Sequence, residues 1–147
     1  MMVELAYYGT YGHERGLQVV DESSALRMSK NFNLTSNWWR RLIGIPVFIG
    51  HPDDDTGEYA PGTFKDFRVY GRIYDIRAST SAVYVDLKLN RRGLGYLKRV
   101  KRVHLSPRWG MVKLRYEEAF SPVVLLSVGL TDHPNVRGGS LDASTYH

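Results

Sequence analysis

A histidine and a serine, each ending or interrupting a strand-like apolar run, have the residue types needed for acyl transfer. His51 lies in the string Gly-His-Pro-Asp at 50–53, and Ser106 lies in His-Leu-Ser-Pro-Arg-Trp at 104–109. A serine hydroxyl is a poor nucleophile at neutral pH unless an imidazole within hydrogen-bond reach takes its proton. The two residues are therefore candidates for the nucleophile and the general base of a serine hydrolase.

The residues around Ser106 predict that a strand carries its hydroxyl. Pro107 follows directly, and the residue before a proline favours extended geometry over helical geometry. This differs from the Gly-x-Ser-x-Gly motif, whose serine sits on a strand-to-helix turn and which is missing here. His104 lies two residues before Ser106, on the same face of the predicted strand, and is a rival base. Neighbours on one strand face point in parallel, which favours His51.

The acidic residues that follow His51 raise two further questions. Asp53 could fix the tautomer of the His51 ring, as the third residue of a catalytic triad does. Asp53, Asp54 and Asp55 also form an acidic triplet. The alternating aspartates and the distal glutamate of a calcium loop are missing from it. We therefore expect no metal ion and no cofactor.

The periodicity of the chain predicts two or three short helices set among strands. Helices are expected over 21–32, from Thr35 or Ser36 onward, and over 90–100. Strands are expected over 45–49, in a hairpin of 68–78 and 82–89, and over 102–107, 111–116 and 123–130. These elements indicate an α+β fold with a mainly antiparallel, partly barrel-like sheet. Residues 1–139 should form a single domain, and 140–147 should be a flexible tail.

The same patterns assign positions to apolar side chains. Trp38 and Trp39 are expected to pack in a core or an interface. Alternating residues of the 82–89 strand should share one buried face, namely Val83, Val85, Leu87 and Leu89. The inward residues of the 90–100 helix should be Leu94, Leu97 and Val100, although its two glycines lower its helix propensity.

Composition places the chain among globular proteins of one domain. It has 147 residues, of which 43% are hydrophobic and 24% charged, and this length can bury a sizeable core. The absence of cysteine excludes disulfide bonds, thiolate catalysis and cysteine-based zinc sites. A secretory pattern and a bilayer-spanning apolar run are both missing, so the sequence indicates neither secretion nor a membrane partner.

The net charge of +5 comes from one segment. Six basic residues lie within 91–102, namely Arg91, Arg92, Lys98, Arg99, Lys101 and Arg102. Such a cluster can bind a polyanion or an acidic partner, although most charge runs only face water. A nucleic-acid-binding β-domain that stacks bases on Tyr96 is therefore one alternative function. Because no recognisable binding motif is present, any such binding should be nonspecific.

Three strings, taken in order, resemble the Mu-like phage I protein family. They are Ile-Pro-Val-Phe-Ile-Gly-His-Pro-Asp at 45–53, Leu-Ser-Pro at 105–107, and the string at 120–135 that contains Leu-Thr-Asp-His-Pro. Members of this family are capsid-maturation (prohead) proteases. Their pattern is an apolar strand into a histidine, a strand with Ser-Pro, and a strand that ends in Leu-Thr-Asn-x-Pro. The resemblance covers most of the chain and implies an assemblin-like sheet packed by helices.

The resemblance also implies roles for particular residues. It makes Ser106 the nucleophile and His51 the base, because the family's histidine directly follows its apolar strand. Asp132 stands where the family has asparagine, and either side chain can accept the ring N–H of the base. His133 is the alternative orienting residue, because assemblin-like enzymes use a second histidine. The family tends to carry an aromatic residue at the position of His104.

The expected function is that of a hydrolase, a serine endopeptidase of phage procapsid maturation. It would cleave scaffold protein, with self-cleavage left open, by a Ser/His acyl-enzyme mechanism. Its partners would be the phage scaffold and major capsid proteins, with a homo-oligomer left open. Its location would be the host cytoplasm, inside the assembling procapsid. The main alternative is a noncatalytic scaffold or capsid-assembly module that uses the surface around Trp38 and Trp39.

Overall fold

The chain forms a mixed sheet with three α-helices in the residues that the computed structural model describes, which are 1–13, 16–53, 66–114, 119–134 and 136–146. The strands are β1 (Met2–Tyr7), β2 (Gly9–His13), β3 (Gly16–Val20), β4 (Ile45–Ile49), β5 (Gly71–Ala78), β6 (Ala82–Leu89), β7 (Arg102–Lys113), β8 (Ala119–Thr131) and β9 (Ser140–Asp142). The helices are α1 (Glu22–Phe32), α2 (Trp38–Ile43) and α3 (Arg91–Val100), and a 3-10 turn, Thr35–Asn37, precedes α2.

The strands make one curled half-barrel sheet in which β8 has a central place. The strand order is β1-β6-β5-β4-β8-β3-β2, while β7 pairs with β8 and with β9. β7 runs antiparallel along one edge of β8. On the other edge, β3 and β4 pair in parallel with opposite ends of β8. The predicted α+β class is confirmed, and the sheet, predicted to be partly barrel-like, is a mixed, curled half-barrel.

Local sequence signals explain the elements that form the core. Asp21 caps α1 by accepting a 2.8 Å hydrogen bond from the Ser24 amide, and the Ser24 hydroxyl accepts from the Asp21 amide in return. The apolar stripe of α1 packs on β5 and β8. In β6, all four alternating residues predicted to share the core face are buried, namely Val83, Val85, Leu87 and Leu89.

Helix α2 differs from its prediction because its apolar side chains face outward. Trp38 is 60% exposed and Trp39 is 51% exposed, so the core packing expected for them is wrong. The arginines of the helix face the protein instead. Arg40 donates to the carbonyl of Leu125, and Arg41 donates to the carbonyl of Phe32 at 2.7 Å. These bonds attach α2 by its charged side, and an interface role for the tryptophans stays a prediction.

Helix α3 is present as predicted, but only one of its three expected inward residues is buried. Leu97 is buried, whereas Leu94 is 47% exposed and Val100 is also exposed. The contact is centred on Gly93, where an added Cβ would lie 1.9 Å from the carbonyl oxygen of Tyr70. Because the helix approaches the chain most closely at a glycine, its buried face is rotated away from the leucine pattern.

The C-terminal residues belong to the fold, in contrast to the flexible tail predicted from Ser140 onward. β9 pairs with β7, and Leu141 is buried in the core. Further along, the hydroxyl of Tyr146 accepts a 2.9 Å hydrogen bond from the Leu89 amide. The segment shows no apolar period because only single side chains anchor it.

Two further parts of the sheet differ from prediction, namely its first three strands and β7. β1, β2 and β3 lie in a region without predicted elements. The two strands expected over 102–107 and 111–116 are one strand, β7, which continues through Pro107 and two irregularities in its pairing with β8. No helix within the described ranges is long and apolar enough to cross a membrane.

Candidate active site

Three neighbouring strands bring Ser106 and His51 together. Ser106 on β7 lies opposite Gly129 of β8, which in turn lies beside Phe48 of β4. His51 follows β4 after Gly50, whose φ of 65° turns the chain and whose amide donates to Leu130 at 3.0 Å. The Oγ of Ser106 lies 3.0 Å from the Nε2 of His51. Two side chains 55 residues apart in sequence are thus in direct hydrogen-bond contact.

Gly129 provides the space in which the His51 ring lies. A Cβ added at Gly129 would be 2.3 Å from the carbonyl oxygen of Gly50 and 3.0 Å from Cε1 of His51. Such short distances mean that any larger residue would displace the turn or the ring. A glycine between the two strands therefore permits the contact between Ser106 and His51.

The tautomer of the His51 ring decides which of the two groups donates in this contact. Nε2 accepts the serine proton only if the neutral ring carries its hydrogen on Nδ1. Nδ1 is buried and has no hydrogen-bond partner among the described residues. Ser106 is 7% exposed, and His51 is half-buried. The pair is thus close to the surface and largely shielded by its surroundings.

A second polar cluster holds the loop that carries His51. Asp53 accepts a 2.6 Å hydrogen bond from the Ser127 hydroxyl and a 3.2 Å one from Arg108, both at Oδ2. Ser127 is on β8, and Arg108 lies opposite it on β7. Oδ1 of Asp53 is buried and without a partner in the described part of the chain. Asp53 therefore fastens segment 50–53 to the same two strands that position the serine.

The structure places the other predicted site residues away from the His51 ring nitrogens. Asp132 is exposed, and no hydrogen bond joins it to His51, so the predicted orienting contact is absent. His133 is also exposed, and its amide donates to the hydroxyl of Thr131 at 3.1 Å. His104 lies between its sheet neighbours Thr131 and Ser140 and has no hydrogen bond to Ser106. Both Asp132 and His133 follow the end of β8, where the chain has left the sheet.

The rival orienting residue Asp53 also makes no hydrogen bond to the ring of His51. Its carboxylate contacts Ser127 and Arg108 instead. The acidic triplet that begins at Asp53 continues into Asp54 and Asp55, which lie outside the described residues. Among the residues that are described, no three His, Asp or Glu side chains cluster as metal ligands.

Sequence reasoning missed two residues of the site, Ser127 and Gly129. Both interrupt the apolar run of β8, in the string Leu-Leu-Ser-Val-Gly-Leu. A polar residue that is fully buried needs a partner, and a glycine within a strand often marks a close approach of another chain segment. These two interruptions were the available signal, and their partners lie on other strands.

Comparisons with known proteins found no matching family model, no matching curated protein and no matching solved structure.

Proposed function

We propose that this protein is a serine endopeptidase in which Ser106 is the nucleophile and His51 the general base. The observation that carries the proposal is the 3.0 Å contact between Ser106 Oγ and His51 Nε2. This distance is within the range at which a base can take a hydroxyl proton directly. The contact joins a residue of β7 to one in the loop after β4, and a nucleophile and its base commonly come from separate segments in this way.

The reaction would proceed through an acyl-enzyme. As the Ser106 oxygen attacks the peptide carbonyl carbon, its proton moves to Nε2 of His51. The tetrahedral intermediate collapses when the C–N bond breaks and His51 returns this proton to the leaving amine. Water then attacks the ester carbon while His51 takes one of its protons and gives it to the Ser106 oxygen as the acid product leaves. Each proton that leaves a nucleophile is thus returned to a leaving group.

The polar cluster around Asp53 supports this function by fixing the approach of the base. The hydrogen bond from buried Ser127 limits the movement of the loop two residues beyond His51. Arg108 is held by Asp53 at 3.2 Å, which supports a role in loop position. Backbone amides commonly stabilise the developing oxyanion.

The motif resemblance supports a more specific proposal about the biological setting. It favours an assemblin-type protease, with a mainly antiparallel sheet, that acts on phage scaffold protein during procapsid maturation. Scaffold and major capsid proteins would then be its partners in the host cytoplasm.

Covalent labelling with a fluorophosphonate, followed by mapping of the modified peptide, tests the mechanism. We expect the label on Ser106, and no label in Ser106→Ala. His51→Ala should lose about 10⁴-fold or more of the labelling rate, and the double variant should be little worse, because members of a catalytic unit are not additive. His104→Ala is the matched histidine control and should stay close to the original rate.

Two results would contradict this mechanism. Undiminished labelling and peptide cleavage in Ser106→Ala would exclude Ser106 as the nucleophile. If His104→Ala lost more of the labelling rate than His51→Ala, the assignment of His51 as the base would be wrong. The same samples, examined by mass spectrometry, would reveal whether self-cleavage occurs in the original chain and ceases in Ser106→Ala.

A noncatalytic assembly module is the second candidate, and the exposed apolar side of α2 favours it. Trp38, Trp39 and Leu42 are all more than half exposed there, and large exposed apolar patches often mark interaction sites. A folded protein that no serine-directed reagent modifies would support this alternative.

A further inference from the structure

Positive and negative charge are separated along this chain. Residues 87–116 contain ten of the twenty Lys and Arg residues and none of the fifteen Asp and Glu residues. The remainder of the chain therefore has ten basic residues against fifteen acidic ones. The net charge of +5 is the sum of a strongly basic segment and an acidic remainder, and α3 lies within the basic segment.

The geometry of α3 gathers its charges on one outward face. Gly93 and Leu97 are the buried residues of the helix. With 3.6 residues per turn, four side chains lie within about 60° of the direction opposite this buried side. All four are basic and exposed, namely Arg91, Arg92, Lys98 and Arg99. We call these four residues and Gly95 the α3 basic face.

A glycine lies at the centre of the α3 basic face. Gly95 is exposed, and an added Cβ there would meet no atom within 4 Å. The four charges flank it in two pairs, Arg91 with Lys98 and Arg92 with Arg99. Each pair is separated by seven residues, or about 10 Å along the helix axis. The face is therefore open at its middle and cationic on both sides.

Within the described segments, no carboxylate forms an ion pair with these four charges. Two of the guanidinium groups are instead held over aromatic rings. Arg92 lies 5.9 Å from the ring centre of Tyr70, and Arg99 lies 5.5 Å from that of Tyr96. Such contacts orient an arginine and leave its charge available.

We propose that the α3 basic face binds the phosphate backbone of nucleic acid without reading its sequence. A protein interface usually has a buried side-chain anchor at its centre, whereas this centre is a bare glycine that permits close approach of a backbone. The face contains no Asn or Gln side chain with which to read base edges. A helix about 10 Å wide also fits the major groove, which is about 12 Å wide. This binding does not depend on the proposed protease activity.

Fluorescence anisotropy with a labelled duplex of mixed sequence tests the proposal on the full chain. Contact with four phosphates predicts that log K falls with log salt with a slope of about −3.6, or about a hundredfold between 50 and 200 mM salt. Arg91→Gln combined with Lys98→Gln removes two contacts and should reduce the slope to about −1.8. Arg91→Lys combined with Lys98→Arg preserves the charge and should retain the original slope.

The matched control removes the same charge from exposed positions of another helix. Arg27→Gln combined with Lys30→Gln on α1 should leave the slope unchanged. An equal reduction in this control would overturn the proposal, because binding would then follow net charge alone. Three other outcomes would also overturn it: no binding at low salt, a strong preference for one DNA sequence, or tighter binding of a polyglutamate peptide of equal charge. The peptide result would assign the face to an acidic protein partner.

Discussion

Replacement of Ser127 by alanine tests whether the loop of His51 is held from β8. Ser127 is fully buried, and its hydroxyl donates to Asp53 at 2.6 Å. The competing tie from Arg108 is longer, at 3.2 Å, and the arginine side chain is 35% exposed. Both hydrogen bonds go to Oδ2 of Asp53, so their contributions to the free energy of unfolding can be compared.

The geometry indicates that the serine contact contributes more to stability. A hydrogen bond to a charged group contributes about 1.5–3 kcal/mol net, and burial of Ser127 places it near the middle of that range. The partly exposed ion pair with Arg108 is screened by solvent and contributes about 0–1 kcal/mol. We expect Ser127→Ala to lower the free energy of unfolding by about 2 kcal/mol, and Arg108→Ala to lower it by less than half as much.

Urea unfolding followed by tryptophan fluorescence measures these differences. Two double-mutant cycles, Asp53→Ala with Ser127→Ala and Asp53→Ala with Arg108→Ala, separate the contacts from general effects of truncation. The coupling should be about 1–2 kcal/mol in the first cycle and below about 1 kcal/mol in the second. Ser121→Ala is the control, because Ser121 is also buried on β8 and is not among the residues that hydrogen-bond to Asp53.

Equal coupling in the two cycles would refute this reasoning, as would a loss in Ser121→Ala as large as that in Ser127→Ala. If His51 is also the base, Ser127→Ala should reduce the labelling rate of Ser106 by about tenfold or more, because small displacements of catalytic groups are costly. The stability measurement does not require activity and therefore stands on its own.

Two other substitutions and one pH dependence give further tests. Gly129→Ala should lower the melting temperature and the labelling rate of Ser106, because the added Cβ would contact His51. Gly95→Ala should raise the free energy of unfolding by about 0.5–1 kcal/mol, because the added Cβ would lie in open space on a helix. The hydrogen bond from Arg68 lowers the pKa of Asp66 in the folded state. The ionised Asp66 carboxylate therefore stabilises the folded state fully above the pKa of an unfolded aspartate, which is about 4. This stabilisation is lost as the pH falls from there through the lower pKa of the folded state. Urea unfolding should show a weaker acid dependence in Asp66→Asn, and an unchanged one would contradict this assignment.

Local patterns in the sequence were sufficient where one element determines its own structure. The cap at Asp21 predicted the start of α1, and alternation along 82–89 predicted the buried face of β6. The sequence strings and the motif resemblance also selected Ser106 and His51 as a pair, and their side chains are in contact. These signals are local, because they depend on residues within one or two turns or strands.

The remaining features depend on contacts between distant segments. The Asp53 contact with Ser127 exists only because β4 pairs in parallel with β8, and neither strand encodes its partner. The side of α2 that faces the protein similarly depends on a carbonyl of β8 that accepts a hydrogen bond from Arg40. Asp132 was assigned from its motif position, but it follows the end of β8 and is exposed. Pairing between strands decided each of these outcomes.

The central place of β8 has a consequence for when the Ser106 and His51 pair can form. The chain is made from its N-terminus, and β4 is complete long before β8 exists. β7 and β4 meet only through β8, whose Gly129 lies between them. Until the last residues of β8 have been synthesised, no strand links the segment that carries the Ser106 hydroxyl to the segment that carries the His51 imidazole. A nascent chain therefore carries both reactive groups without their contact, and the pair assembles only after the sheet has closed around its central strand.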